Sequence, residues 1–469
     1  MSYQDTLAYL DSFINYEKKA RYPYKGSFKL ERMREFLVRL GNPHEGLRYI
    51  HVAGTKGKGS VCAFAAYMLR QMGYSVGLYT SPHLSDVRER IRVFRPAAAS
   101  AGRDGRRGQS DDFEGMISED SLTQLTARLR PEIAAYGRPG PCGPLSFFEV
   151  YTALAFLYFK EQAVDYAVLE TGLGGRLDAT NVVQPCIAGI TSISYDHMNK
   201  LGRTLPDIAG EKAGIVKAGT SMGLVISAPQ EKAVHSVLAA RCRENGARLY
   251  EVGSDIACEA VSATPAGQVF NISGALGFYE NMRLPFLGEH QLINAAVSVG
   301  LVAGALGSPH DPASIDAMRG GLGSSRWPGR FEIFSGQPRF ILDGAHNEAS
   351  AQALARTLRS YVQPGGIILV LGVSKDKDAA GICRHLIPLA RQCILTRADN
   401  PRALRTSDIA GRLEEYGTQV PVIQAQRVSE ALDIALKSAG SNDAIVVTGS
   451  LFIVGEARQV LIRRAESNR

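Results

Sequence analysis

The feature that most constrains the fold is a glycine-rich turn that follows an apolar run. Residues 49–53 predict a short buried strand, residues 54–59 a turn, and residues 60–72 an amphipathic helix. Glycines let backbone N–H groups turn inward around an anion, and the start of a helix adds unsatisfied donors and a positive dipole end. This order predicts a phosphate-binding loop in which Lys58 reaches the β- and γ-phosphates and Ser60 offers a hydroxyl to Mg²⁺.

The spacing of this loop, Gly54-Thr-Lys-Gly-Lys-Gly-Ser60, is tighter than the standard pattern Gly-x4-Gly-Lys-[Ser/Thr]. The prediction therefore depends on the order of strand, turn and helix and not on a pattern match. The alternative is an ordinary glycine-rich turn. Turn chemistry alone gives no reason for a Lys-Gly-Ser sequence at the start of a helix, which favours phosphate binding.

Composition limits the kinds of protein that this chain can be. Its 469 residues predict roughly two or three domains, and a hydrophobic fraction of 45% suffices for sizeable cores. The net charge of +7 favours anionic ligands, but no basic block interleaved with aromatic residues predicts a nucleic-acid partner. Seven scattered cysteines without a Cys-x-x-Cys pair favour reduced thiols over a disulfide framework or a zinc site.

The sequence also indicates where the protein acts. The longest mainly apolar run, residues 295–306, is shorter than the ~20 residues that a membrane-spanning helix needs. The first residues lack the basic and apolar segments of a signal peptide. We therefore expect a cytoplasmic enzyme with anionic substrates, without a membrane or nucleic-acid partner.

Strand and helix patterns alternate through the first two thirds of the chain. Helices are predicted at residues 5–15, 28–40, 122–136 and 146–161, and strands at 75–79, 166–170 and 186–192. This alternation, up to about residue 306, predicts a doubly wound parallel sheet. Residues 95–115 interrupt it with a small, glycine-rich and charged composition, which indicates a mobile surface insertion. Trimming residues 97–109 should leave activity nearly intact.

Polar residues follow several predicted strands at the edge where the carboxyl ends of parallel strands meet. Glu170 ends one strand beside a glycine-rich turn, a suitable place for a Mg²⁺ ligand opposite a phosphate loop. Residues 80–93 follow another strand and either face the phosphate site or form a solvated connection. Taken alone, Glu170 and His197 are either site residues or ordinary loop residues.

A change of composition near residue 324 indicates a second domain. Residues 324–330 have the composition of a linker and contain the single tryptophan. After the linker, strands are predicted at residues 340–342, 366–371, 393–396, 421–424 and 444–448, with helices between them. We therefore predict an α/β fold in which a P-loop-type, doubly wound ATPase domain (residues 1–323) precedes a smaller Rossmann-like α/β domain (residues 331–469).

Eight ordered motifs resemble those of one family across nearly the whole chain. They are Gly54-Thr-Lys-Gly-Lys-Gly-Ser60, Ser81-Pro-His-Leu84, Glu170-Thr-Gly-Leu-Gly-Gly-Arg-Leu-Asp-Ala-Thr-Asn181, Asp196-His197, Glu211-Lys-Ala-Gly214, Gly288-Glu-His-Gln-Leu-Ile-Asn-Ala295, Trp327-Pro-Gly-Arg-Phe-Glu332 and Asp343-Gly-Ala-His-Asn347. These motifs resemble the folylpolyglutamate synthase/dihydrofolate synthase family of the Mur ligase superfamily.

The resemblance implies an ATP-dependent amide ligase that joins L-glutamate to a folate or dihydropteroate carboxyl group through an acyl phosphate. The motif at residues 81–84 looks more like that of bifunctional bacterial enzymes, which favours a combined dihydrofolate and folylpolyglutamate synthase. The alternatives are a monofunctional folylpolyglutamate synthase, another Mur-type ligase that acts on peptidoglycan precursors, and a nucleotide-binding relative without catalysis.

The resemblance also assigns roles in the first domain. It implies that ATP is bound by Gly54, Thr55, Gly57, Lys58, Gly59, Ser60 and Asn294, the last of which contacts the adenine. It implies two Mg²⁺ sites, with Ser60, Ser81 and Glu170 near the first and His197 at the second. Lys212 matches a lysine that relatives carbamylate to make a metal ligand, since an ammonium group would repel Mg²⁺. Without the resemblance, Lys212 would be an ordinary surface lysine on a helix.

In the second domain, the resemblance implies that Arg330 reaches the ATP phosphates. It places Asp343 and His346 at the acyl phosphate and glutamate, with Asp343 also contacting ATP, and Ser450 at glutamate. The residues with catalytic roles are then Lys58, His197, Lys212, Asp343 and His346. Two domains that serve one site imply closure on the substrates.

The resemblance further implies a monomer that binds ATP, L-glutamate and dihydropteroate or folate, with K⁺ as an optional cation. Two positions depart from the family pattern. Lys56 stands where asparagine is common and adds positive charge near the phosphates, and residues 194–195 are Ser-Tyr where a small residue and leucine are usual.

Overall fold

The computed structural model describes residues 1–19, 22, 24–96, 113–137, 142–415 and 417–467. The chain divides into two compact units. The first unit contains Met1–His83, Arg88–Pro285 and His290–Arg326, and the second contains Leu84–Val87, Phe286–Glu289 and Trp327–Arg469. The change of unit near residue 326 falls inside the predicted linker. Two short segments of the predicted first domain belong instead to the second unit.

The first unit alternates helices and strands as the sequence predicts. Its helices are α1 (Tyr3–Asp11), α2 (Tyr24–Ser27), α3 (Leu30–Arg39), α4 (Lys58–Gln71), α5 (Glu119–Tyr136), α6 (Phe147–Glu161), α7 (Met198–Leu201), α8 (Leu205–Ala213), α9 (Lys232–Glu244), α10 (Glu289–Ala305) and α11 (Pro312–Gly323). Its strands are β1 (Arg48–Ala53), β2 (Val76–Tyr79), β3 (Ile91–Phe94), β4 (Tyr166–Glu170), β5 (Ile187–Ile190), β6 (Leu224–Ser227), β7 (Arg248–Glu251), β8 (Ile256–Thr264), β9 (Gly267–Gly274) and β10 (Gly277–Leu284).

Seven of these strands form one sheet in the order β3-β2-β4-β1-β5-β6-β7. Only β3, at the edge, runs antiparallel to its neighbour in this sheet. The central strands β1 and β4 are buried over almost their whole length, as in parallel sheets covered by helices on both faces. The predicted doubly wound sheet is thus confirmed. Because the strand order reverses across β1, the loops after β1, β4 and β5 meet at one edge.

A three-stranded antiparallel sheet, in the order β10-β9-β8, was not part of the prediction. The buried residues of β9 are Gln268, Phe270 and Ile272, and this period of two is typical of a strand with one covered face. Strand β8 lies at the sheet edge and is exposed along most of its length. The predicted strand–helix alternation up to residue 306 was therefore wrong between residues 256 and 284.

The second unit contains a six-stranded sheet in the order β11-β12-β16-β13-β14-β15. Its strands are β11 (Glu332–Phe334), β12 (Arg339–Leu342), β13 (Ile367–Leu371), β14 (Gln392–Leu395), β15 (Val422–Gln424) and β16 (Ala444–Thr448). Its helices are α12 (Glu348–Tyr361), α13 (Ala379–Leu386), α14 (Thr406–Glu415), α15 (Val428–Ser438) and α16 (Leu451–Ser467). All neighbours are parallel except β11 and β12, which confirms the predicted smaller α/β fold.

Most of the predicted insertion at residues 95–115 lies outside the described residues, which omit 97–112. The described ends are held by the first unit: the Gly115 carbonyl accepts the Val93 N–H at 2.7 Å, and an Arg95 guanidinium nitrogen donates to the Gln162 carbonyl at 2.9 Å. Among the described helices, none has the length and apolarity to cross a membrane.

Candidate active site

The glycine-rich turn joins the end of β1 to the start of α4. Helix α4 begins at Lys58, two residues before the predicted start, so Lys58 and Ser60 both belong to its first turn. Gly57 precedes the helix with φ = 92°, a backbone conformation that glycine adopts without strain. A Cβ on Gly57 would lie 2.2 Å from Asn294 Oδ1, which places Asn294 directly against the turn. The first N–H groups of a helix lack partners within the helix, which makes such an end suited to bind an anion.

The middle of the turn is fastened to the segment after β5. The N–H groups of Thr55 and Lys56 donate to the Ser192 carbonyl at 2.9 and 3.2 Å. The Thr55 hydroxyl donates to the Ser194 carbonyl and accepts the Ser194 N–H, both at 3.2 Å. Thr55 thus holds the shape of the turn, while the N–H groups at the start of α4 remain the donors for an anion.

Glu170 lies at the carboxyl end of β4, beside the start of α4. Its carboxylate is 3.8 Å from Lys58 Nζ and accepts the Ser81 N–H at 3.0 Å. The side chains of Lys58 and Glu170 are only 16% and 7% exposed, so their charges interact in a partly desolvated setting. The structure therefore brings together the predicted phosphate-binding lysine, the carboxylate and Ser81.

His197 follows β5 and precedes the short helix α7. It has φ = 50°, and its N–H donates to Asp196 Oδ1 at 2.9 Å. The other Asp196 oxygen accepts from Lys56 Nζ at 3.0 Å, so Asp196 joins the phosphate loop to the His197 turn. The side chain of His197 is 32% exposed, and its Nε2 lies 3.8 Å from Asp196 Oδ1. The Lys56–Asp196 ion pair joins residues 140 positions apart, and no local sequence pattern predicts it.

Lys212 lies near the end of α8 and is buried. Its Nζ donates to the Gly54 carbonyl at 2.6 Å, so the amine lies directly beneath the phosphate loop. Burial, reinforced by the positive charge of Lys58, holds the pKa of Lys212 well below its usual range. Lys212 is therefore a buried lysine with a lowered pKa, and not the surface lysine that its sequence alone would suggest.

The donors at this edge suit Mg²⁺ only in combination with a phosphate ligand. Within the described residues, no group of three or more His, Cys, Asp or Glu side chains could hold a metal on its own. Mg²⁺ prefers oxygen ligands and is commonly bound through one or two carboxylates together with substrate phosphates. Glu170 and the hydroxyls of Ser60 and Ser81 supply such oxygens beside an anion-binding helix end, so these residues fit the metal.

In the second unit, Asp343 directly follows β12. Its two carboxylate oxygens accept the N–H groups of Phe331 and Ala345, each at 2.9 Å. Burial raises the pKa of Asp343, and the nearby Arg330 charge opposes that rise. A Cβ on Gly344 would lie 2.5 Å from Arg330 Nη1, so Arg330 and Asp343 belong to one cluster.

His346 and Ser450 lie at the same edge of the second sheet. Because a carbonyl can only accept, the 2.8 Å contact between His346 Nδ1 and the Gly344 carbonyl requires a proton on Nδ1. The Gly449 N–H donates to the Ala345 carbonyl at 2.9 Å, which joins the loop before Ser450 to the loop before His346. The structure thus groups all four predicted residues of the second unit at the carboxyl ends of β12 and β16.

Two parts of the chain match known domain families. Residues 147–302 match the Mur ligase middle domain, and residues 329–451 match the glutamate ligase domain of Mur ligases. The fold is therefore that of a Mur ligase.

Similarity to known proteins over nearly the whole chain identifies a narrower family within the Mur ligases. The chain is 35% identical to the dihydrofolate synthase/folylpolyglutamate synthase of Bacillus subtilis, over 92% of this chain and 94% of that protein. It resembles Mycobacterium tuberculosis folylpolyglutamate synthase complexed with ADP and AMPPCP, with a TM-score of 0.83 and 32% identity over 92% of this chain and 95% of the other. The comparison with a solved FPGS (folylpolyglutamate synthase)–AMPPCP–folate complex gives a TM-score of 0.79 and 29% identity. The match covers 98% of this chain and 100% of that one. The chain belongs to the folylpolyglutamate synthase/dihydrofolate synthase family, as its motifs predicted.

Proposed function

We propose that this chain uses ATP to join L-glutamate to dihydropteroate and to folates, as a bifunctional dihydrofolate synthase/folylpolyglutamate synthase. Membership of the family makes it an ATP-dependent ligase. The observation that carries the proposal is the arrangement of Lys58, Glu170 and Ser81 at the start of α4, in a chain similar to a bifunctional synthase over nearly its whole length. The proposal includes action as a cytoplasmic monomer on small molecules, without nucleic acid.

The chemistry requires activation of a poor electrophile. A carboxylate oxygen of the folate substrate attacks the γ-phosphorus of ATP, and ADP leaves to give an acyl phosphate. The amine of glutamate then attacks the acyl carbon, the amide forms, and inorganic phosphate leaves as the nitrogen loses a proton. Both steps need positioning and charge stabilisation more than a covalent protein nucleophile.

In this proposal the first unit binds the nucleotide. Lys58 and the turn at residues 54–60 hold the β- and γ-phosphates, and Asn294 contacts the adenine. Ser60, Ser81 and Glu170 hold one Mg²⁺, and His197 with carbamylated Lys212 serves a second, with K⁺ as an optional further cation. When bound, Mg²⁺ neutralises the charge that accumulates on the phosphate oxygens.

The second unit supplies the remaining roles. Arg330 interacts with ATP phosphates, and Asp343 orients the backbone around it through the N–H groups of Phe331 and Ala345. His346 carries its proton on Nδ1, so its Nε2 is an acceptor, and in this proposal it accepts a hydrogen bond from the glutamate amine. Ser450 contacts the incoming glutamate.

The direct test is glutamate-dependent ADP release, measured separately with dihydropteroate and with tetrahydrofolate. We expect turnover with both substrates, and loss of about 100-fold or more in Lys58→Ala, because that change removes charge stabilisation of the transferred phosphoryl group. Lys232→Ala, which changes an exposed lysine on α9, is the matched control and should behave like the wild type. Near-normal turnover in Lys58→Ala would reject the role of that lysine.

The same assay separates the alternatives. Turnover with tetrahydrofolate but not with dihydropteroate would identify a monofunctional folylpolyglutamate synthase. ADP binding without turnover on either substrate would refute the proposal and favour a catalytically silent relative or a Mur-type ligase with a different acid substrate.

A further inference from the structure

A buried chain of polar side chains lies beneath the loop that follows β4. It consists of His51 on β1, Thr180 in a 3₁₀ turn, and Asp178 at the start of that turn. Each of these residues is completely buried, and none has a role in the proposed reaction. Buried polar groups are costly unless they are paired, and of the side-chain polar atoms of these three residues only His51 Nδ1 lacks a hydrogen-bond partner.

Asp178 gathers the backbone of the loop. Its Oδ2 accepts the N–H groups of Gly172 and Leu173, each at 2.9 Å. Its Oδ1 accepts both the N–H and the hydroxyl of Thr180, at 3.0 and 2.5 Å. One carboxylate therefore accepts hydrogen bonds from four donors. It fixes the backbone of Gly172 and Leu173, which follow Glu170 and Thr171 in the chain.

His51 connects this carboxylate to the central strand. The Thr180 hydroxyl gives its proton to Asp178 and can only accept from His51, so the 2.9 Å contact requires a proton on His51 Nε2. Burial lowers the pKa of His51 to about 3, so the ring is neutral and carries that single N–H. The chain of hydrogen bonds thus runs from β1, which leads into the phosphate loop, to the loop after β4.

The far end of the same loop lies against the backbone of Lys212. A Cβ on Gly175 would be 2.7 Å from the Lys212 carbonyl oxygen, so only glycine allows this approach. The Arg176 N–H donates to the Glu211 carbonyl at 2.7 Å. The loop therefore spans the distance from Glu170 to the helix end that carries Lys212.

We infer that His51, Thr180 and Asp178 are positioning residues that fix this loop and thereby set the separation of Glu170 and Lys212 for metal binding. The inference rests on the proposed function, because that function assigns one Mg²⁺ to Glu170 and a second Mg²⁺ to Lys212 with His197. The hydrogen-bond chain touches no substrate or metal and acts only through the backbone of residues 172–176.

The test compares Thr180→Val, which keeps the shape but removes the hydroxyl, with Thr180→Ser, which keeps the hydroxyl. Mn²⁺ is the probe, and its affinity is measured by isothermal titration in the presence of ADP, together with the Mg²⁺ concentration that gives half-maximal ADP release. We expect Thr180→Val to weaken Mn²⁺ binding by about tenfold and to raise the Mg²⁺ requirement similarly, as losses of groups behind metal ligands do. Thr180→Ser should restore wild-type metal affinity.

A matched control is Thr357→Val on α12, where a buried threonine hydroxyl donates to the Ala353 carbonyl at 3.0 Å. It loses a similar bond in the second unit and should leave Mn²⁺ affinity unchanged. If Thr180→Val does not fold, His51→Gln and His51→Leu give a second pair, since only glutamine keeps a donor to Thr180. Weaker Mn²⁺ binding in His51→Leu than in His51→Gln then supports the inference.

Wild-type Mn²⁺ affinity in a folded Thr180→Val or His51→Leu variant would overturn the inference and leave these residues a purely structural role. Failure of the proposed function is recognised separately. A wild-type chain that binds Mn²⁺ with ADP but shows no glutamate-dependent ADP release refutes the proposed reaction, while the Mn²⁺ measurements still decide the role of the hydrogen-bond chain.

Discussion

At the scale of single residues, Lys212 shows how burial changes the chemistry of a side chain. A neutral amine adds to CO₂ to form a carbamate and releases one proton, whereas an ammonium group cannot. The low pKa of Lys212, caused first by burial, therefore prepares it for this reaction. The carbamate nitrogen keeps one hydrogen, so the bond to the Gly54 carbonyl can persist and orient the new carboxylate.

We expect isotope-labelled bicarbonate to give a carbamate NMR signal in the wild type and none in Lys212→Arg. Turnover should fall about 100-fold in that variant, because a cation replaces an anionic metal ligand. Lys217→Arg is the matched control. The pKa of Lys217 is also lowered, to about 8, but its ammonium donates to the carbonyls of Asn181 and Val183. A carbamate signal that survives in Lys212→Arg and disappears in Lys217→Arg would show that Lys217 is the modified lysine, and it would contradict this prediction.

The sequence predicts site residues where their chemistry appears in a local pattern. Lys58 follows glycines at the start of a helix, and Glu170 ends an apolar strand, so both could be proposed from their neighbours alone. The residues that hold the site in shape escaped prediction. His51 lies 129 residues from Thr180, and Lys56 lies 140 residues from Asp196, and no local pattern reports such pairs.

At the scale of elements, hydrophobic periodicity predicted the buried strands best. Strand β4 has the predicted bounds, because it is apolar, central and flanked by turns. Strands β8 to β10 were missed, because β8 is mostly exposed and β9 buries the polar Gln268 while the apolar Val269 is only partly buried. A strand that buries little leaves little signal in its sequence.

The insertion at residues 95–115 gives a prediction at this scale. Its described ends are already joined by the sheet: the Gly115 carbonyl accepts from Val93, and the Ile117 N–H donates to the Ile91 carbonyl. Shortening the chain between two fixed ends changes its closure entropy by only about 0.6 kcal/mol for each halving of length. Replacing residues 97–109 with a short glycine–serine linker should therefore leave kcat/KM within about twofold of the wild type. The free energy of unfolding should change by less than about 1 kcal/mol.

The matched control extends the deletion through Gly115, which removes the bond to Val93 at the edge of the sheet. That variant should lose stability in urea unfolding. A large fall in kcat/KM in the shorter deletion, with unchanged stability, would show that the insertion takes part in substrate binding.

At the scale of the whole molecule, the restart of the strand–helix rhythm at residue 331 predicted two units. It could not predict that residues 84–87 and 286–289 belong to the second unit. Those short segments are assigned by tertiary packing: Leu84 packs on one core cluster of the second unit, and Leu287 is buried in the other. Local periodicity carries no information about which core a single leucine enters.

Because each unit has its own core, we expect two unfolding transitions in calorimetry. Trp327 is the single tryptophan and lies in the second unit, so its fluorescence reports that transition alone. The proposed function places the nucleotide on the first unit, so ADP with Mg²⁺ at 100 times its Kd should add about 2.7 kcal/mol and raise the first unit's Tm by roughly 5 °C. Lys58→Ala should abolish this shift, whereas Lys232→Ala should retain it. If the calorimetric and fluorescence transitions coincide and move together with nucleotide, the two units unfold as one cooperative structure, and the separate cores do not define separate stabilities.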